Sequence, residues 1–167
     1  WGDGASGLFE ASWPMALPPG FEDPLLRRGT LVEVMDGPWR IGSPLILSEP
    51  AVGAGLDEPW SFNAAGIGRE VEGENSFYCF RTSDGETTTV PSEAVDYAIA
   101  NGWRIAGRDS NVPTGAIGGT ATTDELMTVG SLLNEVNKVY TTRWAVNGEN
   151  VLKFYADPTS PTYQISP

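Results

Sequence analysis

Toward the end of the chain, apolar side chains return every three or four positions, at Leu126, Val129, Leu132, Leu133, Val136 and Val139, which places them on one face of a helix. Just upstream, Thr122 and Glu125 have the spacing of a capping box, in which a hydroxyl and a carboxylate each satisfy a backbone N–H of the first turn. The predicted helix spans residues 123–140. The period then drops to two. Arg143-Trp144-Ala145-Val146 and Val151-Leu152-Lys153-Phe154-Tyr155 alternate about Asn147-Gly148, a pair that tolerates positive φ, so a hairpin is expected over 142–156.

Earlier in the chain the runs are shorter. Leu31–Met35, Trp39–Ile41, Leu45–Leu47 and Trp60–Ala64 read as a meander of strands punctuated by Gly and Pro, a spacing that suits a short-stranded β-barrel or sandwich. Residues 76–82 and 86–90 form a further expected hairpin about Ser83-Asp84-Gly85. A helix follows at 91–101, with Ala94, Val95, Ala98 and Ile99 on one face and Asn101-Gly102 as its stop, and Trp103–Ala106 reads as a short strand. The expected fold class is α+β: a β-rich domain over 30–90, then an α+β domain over 91–167 with two packing helices, a Gly-rich loop at 107–121 and the C-terminal helix-plus-hairpin unit.

Residues 1–29 carry four prolines and five glycines with little periodicity, which predicts an extended arm. Its apolar side chains, Leu8, Phe9, Trp13, Met15, Phe21, Leu25 and Leu26, need an apolar surface to lie on, so they are the expected interface residues, packed on their own domain or on a neighbour. A chain that begins at Trp1 reads as a fragment of a longer protein.

Length and charge bound the function. A chain of 167 residues buries roughly 70% of the surface its unfolded form exposes, enough for one core or two small ones without a cross-link. The single Cys79, within Phe77-Tyr78-Cys79-Phe80, reads as an inert strand thiol. The net charge is −12 and the basic residues are scattered apart from Arg27-Arg28, so stable binding to nucleic acid or to an anionic membrane is not expected. No apolar run approaches the roughly 20 residues of a membrane span.

With no histidine in the chain, Ser-His and Cys-His nucleophiles and His-containing zinc sites are excluded. Paired carboxylates remain as a route to glycoside cleavage, with Glu70, Glu72 and Glu74, or Asp84 and Glu86, as the pairs at suitable spacing. They sit beside Gly and Ser in turn-like sequence, where solvated charge is the ordinary role. Asp84-Gly85-Glu86 and Asn147-Gly148-Glu149-Asn150 offer too few acidic ligands for calcium and read as turns. Gly115-Ala116-Ile117-Gly118-Gly119 lacks the Lys-Ser or Lys-Thr of a phosphate loop. No catalytic residue, metal or cofactor is expected. Of the six tryptophans, most should be core, and two exposed ones would make a stacking platform for sugar rings.

Taken in order, Gly37-Pro38-Trp39-Arg40-Ile41-Gly42, Leu45–Pro50, Pro59-Trp60-Ser61-Phe62, Ala65-Gly66, Leu132-Leu133, Arg143-Trp144, the Asn147-Gly148 turn and Asp157–Tyr163 resemble the minor tail proteins of long-tailed actinobacterial phages, of the tail-tip or baseplate-hub type. The resemblance runs across roughly residues 30–167 and rests on order and spacing. It implies a virion structural protein at the tail tip, in which strand-rich domains close into a ring, with three-fold self-association, and which joins distal tail, tape measure and fibre proteins. Along such a channel Asp57, Glu58, Glu70, Glu72 and Glu74 would repel DNA in passage. The alternative in a different class is a receptor-recognition module that binds host cell-wall glycan.

Overall fold

A computed structural model describes residues 2–3, 9–18, 21, 23–40, 42–51, 59–72, 77–117 and 126–156. In chain order these form β1 (Gly2–Asp3), β2 (Phe9–Met15), β3 (Leu31–Val32), β4 (Met35–Asp36), β5 (Trp39–Arg40), β6 (Leu45–Leu47), β7 (Trp60–Gly66), α1 (Pro91–Ala100), β8 (Gly107–Arg108), α2 (Val129–Tyr140), β9 (Thr142–Val146) and β10 (Val151–Ala156). The fold is α+β. Its strands make three small sheets, and no barrel closes among the described residues.

The largest sheet is antiparallel, in the order β1-β2-β7-β6-β3. Its strands alternate, so one face carries Trp13, Trp60, Phe62, Ala64, Leu45, Leu47 and Val32, and the first core gathers there with Leu17, Leu26 and Val34 packed over it. Trp13 lies directly opposite Phe62, their rings stacked at 5.8 Å, and Trp60 also stacks on Phe62, at 6.3 Å. The stretch expected as an arm therefore supplies a seven-residue strand, β2, to its own sheet. Pro14 fits within it because β1 pairs only with Phe9 and Glu10, leaving β2 an edge from Ala11 onward among the described residues.

Beyond β7 the chain tightens into a 3₁₀ helix, Ile67–Val71, whose Ile67 and Val71 enter the second core. There α1 and α2 pack on the sheet β8-β10-β9. Trp144 and Phe154 are cross-strand partners, as are Val146 and Leu152, and all four side chains face the helices. α1 begins with Pro91 at its first turn, where a missing N–H costs nothing, and gives way to Gly102 at φ +111. Past the two-residue β8, the Asn111 amide continues the pairing: its Nδ2 donates to the Phe154 carbonyl at 2.7 Å and its Oδ1 accepts from the Phe154 N–H at 3.2 Å.

Three local readings change. α2 starts at Val129, with Thr128 as the residue whose hydroxyl accepts from Ser131 N–H; the expected box at Thr122 and Glu125 lies outside the described residues, and Leu126 and Val139 are exposed rather than on the buried face. The hairpin between β9 and β10 turns on Asn147 and Asn150. The Asn147 side chain accepts from Glu149 and Val151 N–H, Asn150 N–H closes on the Asn147 carbonyl, and the left-handed residue is Asn150, at φ 63, rather than Gly148. The hairpin expected over 76–90 narrows to the single bridge Phe80–Thr87, and residues 77–79 pair instead with the entry to α2 through Tyr78–Thr128.

Candidate assembly surface

The polar face of the five-stranded sheet is where the two cores meet. Side chains there alternate with the buried set, so Glu10, Ser12, Ile46, Asn63 and Ala65 share it. Ile46 and Phe77 pack against the second core, and between the units runs a trough of two hollows, about 550 and 540 Å³, joined at Ser48, Ala65 and Arg69. The larger hollow has an apolar floor and a rim of mixed charge, where Arg28, Arg69 and Arg104 stand beside Glu49 and Glu70; the smaller one is more polar, with Glu10 facing Arg69.

The three arginines are not equivalent. Arg104 is fixed: its Nε and Nη2 donate to Glu70 Oε1 at 2.9 and 2.6 Å, and its Nη1 donates to the Gly29 carbonyl at 2.5 Å. One side chain thus ties the loop after α1, the 3₁₀ helix and the turn before β3, while Asn150 Nδ2 holds the Arg104 carbonyl from the hairpin. Arg69 reaches Glu10 at 2.8 Å across exposed surface, a pair of small energetic weight. Arg28 is exposed and makes no ion pair with any described residue.

A second surface projects from the same unit. β4 and β5 form a hairpin turned by Gly37 at φ 57, with Asp36 opposite Trp39 and Met35 opposite Arg40. Trp39 is 75% exposed and Met35 51%. The hairpin is anchored on one side, where Arg40 Nη1 donates to the Gly148 carbonyl at 2.6 Å and Nη2 meets Glu33 at 2.5 Å.

The expected interface residues divide. Trp13 and Leu26 are half-buried and pack against the first core; Phe21 is half-buried, its N–H bonded to the Pro18 carbonyl. Met15 and Leu25 are exposed. The backbone of Phe9 lies in β2, and Leu8 falls outside the described residues. Of the expected channel acids, Glu70 is folded onto Arg104, Glu72 is exposed at the end of the 3₁₀ helix, and Asp57, Glu58 and Glu74 lie outside the described residues.

The other chemical candidates are occupied in structural roles. Asp84 and Glu86 both reach Arg81, and Asp84 Oδ1 accepts the Glu86 N–H, as in a simple turn. Among the described residues no three Cys, Asp or Glu side chains gather as a metal-binding group. Trp103 and Trp144 are buried and Trp13 and Trp60 half-buried, leaving Trp39 as the exposed indole among the described residues. Trp1, a further candidate for a sugar platform, lies outside the described residues. Burial pushes the Cys79 thiol up to about 12, in keeping with an inert role. Sequence reading missed the trough because its arginines are far apart in the chain; the Asp-Gly-Pro-Trp order at 36–39, which puts Trp39 just past a two-residue turn, was the available signal for the exposed indole.

No protein-family model and no curated protein sequence matches the chain. Among solved structures its fold is similar to the 43 kDa tail protein of prophage MuSo2 from Shewanella oneidensis, with a TM-score of 0.55 and 14% identity over 92% of this chain. The chain spans 45% of the length of that protein, and what the two share is the fold.

Proposed function

We propose that this chain is a structural subunit of a phage tail, a hub-like minor tail protein that assembles into a ring at the tail tip and joins the tail tube to tip or fibre proteins. The observation that carries this reading is the fold shared with a prophage tail protein across 92% of the chain. The residue-level resemblance described above supports it independently.

Copies meet through heterologous contacts that close into a trimer, with distal tail and tape measure proteins as neighbours. Exposed Met15 and Leu25 contribute to subunit contact, and Glu72, with Asp57, Glu58 and Glu74, supplies negative charge toward the channel.

The test pairs light scattering on the purified full-length protein with electron microscopy of the parent particle. A stable trimer and ring density at the tail end are expected. A monomer that binds cell-wall glycan and decorates fibre tips would replace this reading with a receptor-recognition one, for which Trp39 is the exposed ring.

A further inference from the structure

We propose that Asn147 is a self-modifying site: in the folded protein the Gly148 nitrogen attacks the Asn147 side-chain amide, and the hairpin turn that holds the two promotes the reaction. The chain contains two Asn-Gly pairs, Asn101-Gly102 and Asn147-Gly148, and in both the glycine leaves its own nitrogen unscreened by a side chain. The fold treats them oppositely.

At Asn147 the hydrogen bonds favour attack. Oδ1 accepts from the Glu149 N–H at 3.0 Å and from the Val151 N–H at 2.9 Å, so two backbone donors already sit on the oxygen that becomes an oxyanion when Cγ is attacked. The Asn147 main-chain carbonyl accepts the Asn150 N–H at 2.9 Å, which draws electron density out of the Asn147–Gly148 peptide unit and eases loss of the Gly148 proton. The Gly148 N–H makes no hydrogen bond with a described residue, and Arg40 Nη1, donating to the Gly148 carbonyl at 2.6 Å, pins the turn in place. The leaving nitrogen, Nδ2, is held loosely, by a 3.4 Å contact with Glu149 Oε2. At Asn101 the same groups are engaged against reaction. The Gly102 N–H donates to the Ile99 carbonyl at 3.2 Å, which occupies the nucleophile, and Asn101 Nδ2 donates to the Tyr97 carbonyl at 2.9 Å, which holds the leaving group.

The step needs water alone as co-reactant. The Gly148 nitrogen gives its proton to solvent and its electron pair to Asn147 Cγ; the carbonyl pair moves onto Oδ1 and returns as the Cγ–Nδ2 bond breaks, and ammonia leaves after taking a proton from water. One water then opens the succinimide at either carbonyl, giving Asp or an isoaspartyl link that carries the main chain through the side-chain carbon. Both products put a new carboxylate in the turn beside Glu149. The isoaspartyl link also adds a methylene to the main chain, which displaces the Gly148 carbonyl from Arg40 and loosens the Met35–Arg40 hairpin that this bond anchors.

The experiment incubates the full chain at neutral pH, native and in guanidinium chloride, and follows both pairs by peptide mapping with enzymatic detection of isoaspartate. Unfolded, the two pairs convert at similar rates, because each asparagine is followed by glycine. Folded, Asn147 is expected to convert at least as fast as in the unfolded chain, and Asn101 about tenfold more slowly than Asn147. A native Asn147 that is slower than the unfolded one, or that only keeps pace with Asn101, overturns the proposal. Gly148→Ala screens the nitrogen with a Cβ that would stand 3.3 Å from the Gly42 carbonyl oxygen, at a position outside the left-handed region, and should suppress conversion while circular dichroism shows the fold kept. Trypsin cleavage after Arg40 reads the hairpin: it should quicken as the wild type ages and stay constant in Gly148→Ala. A constant rate in wild type whose Asn147 has converted overturns the link to Arg40.

Discussion

Cys79 shows how much one neighbourhood decides. Its N–H bonds the Met127 carbonyl, its carbonyl takes the Thr88 N–H, and the side chain is sealed in the second core. Burial destabilises the thiolate and moves the thiol from 9.0 to about 12. The unfolded thiol ionises at the lower value, so the contribution to stability is complete below pH 9 and is lost as pH rises from 9 toward 12. Chemical denaturation across that range should show a decline that Cys79→Val lacks, and a thiol reagent should react with the native protein only at the rate of unfolding. Asp109 has the opposite sign. The Asn111 N–H, with Lys153 nearby, holds its carboxyl below 3.8, so its contribution is present above that pH and disappears as acid is added.

At the scale of elements, the sharpest constraint is a close approach. A Cβ on Gly130 would lie 2.3 Å from the Val71 carbonyl oxygen and 3.0 Å from its carbon, both backbone atoms that have no side-chain rotation to escape by. In an isolated helix Gly→Ala is favourable by about 1 kcal/mol. Here the sign reverses: Gly130→Ala should cost about 2 kcal/mol by forcing α2 off the 3₁₀ helix, while Gly115→Ala, which meets nothing within 4 Å, should be near neutral in the same thermal melts. The elements themselves were largely legible. The 3.6-residue period of Val129, Leu132, Leu133 and Val136 and the alternation of Trp144, Val146, Leu152 and Phe154 each reported a buried face. Where α2 begins was not, because Thr122 and Thr128 are both good caps, and the choice of Thr128 is coupled to pairing of Val129 N–H with the carbonyl of Phe77, far back in the chain. Nor could local pattern show that β2 joins β7, since Pro14 and the surrounding glycines resemble a linker unless the edge position is known.

For the whole molecule, the joint between the cores is held by side chains that periodicity does not register. Arg104, Glu70 and the Gly29 carbonyl come together from three separated stretches. The ion pair is partly exposed, 36% and 22% for the two side chains, so solvent screens it, and Arg104→Met should cost about 1 to 2 kcal/mol, much of it from leaving Glu70 unpaired. A double-mutant cycle with Glu70→Gln in urea should return a positive coupling energy; additive losses would mean that the Arg104–Glu70 pair does not brace the joint. The sheet order has one more consequence, in time rather than space. β2 leaves the ribosome well before β7, yet Trp13 has its stacking partner, Phe62, only on β7. During synthesis β2 must wait with its indole uncovered, and the first core locks only when Trp60–Gly66 arrives, so slow translation ahead of residue 60 would lengthen the interval in which nascent chains can stick to one another.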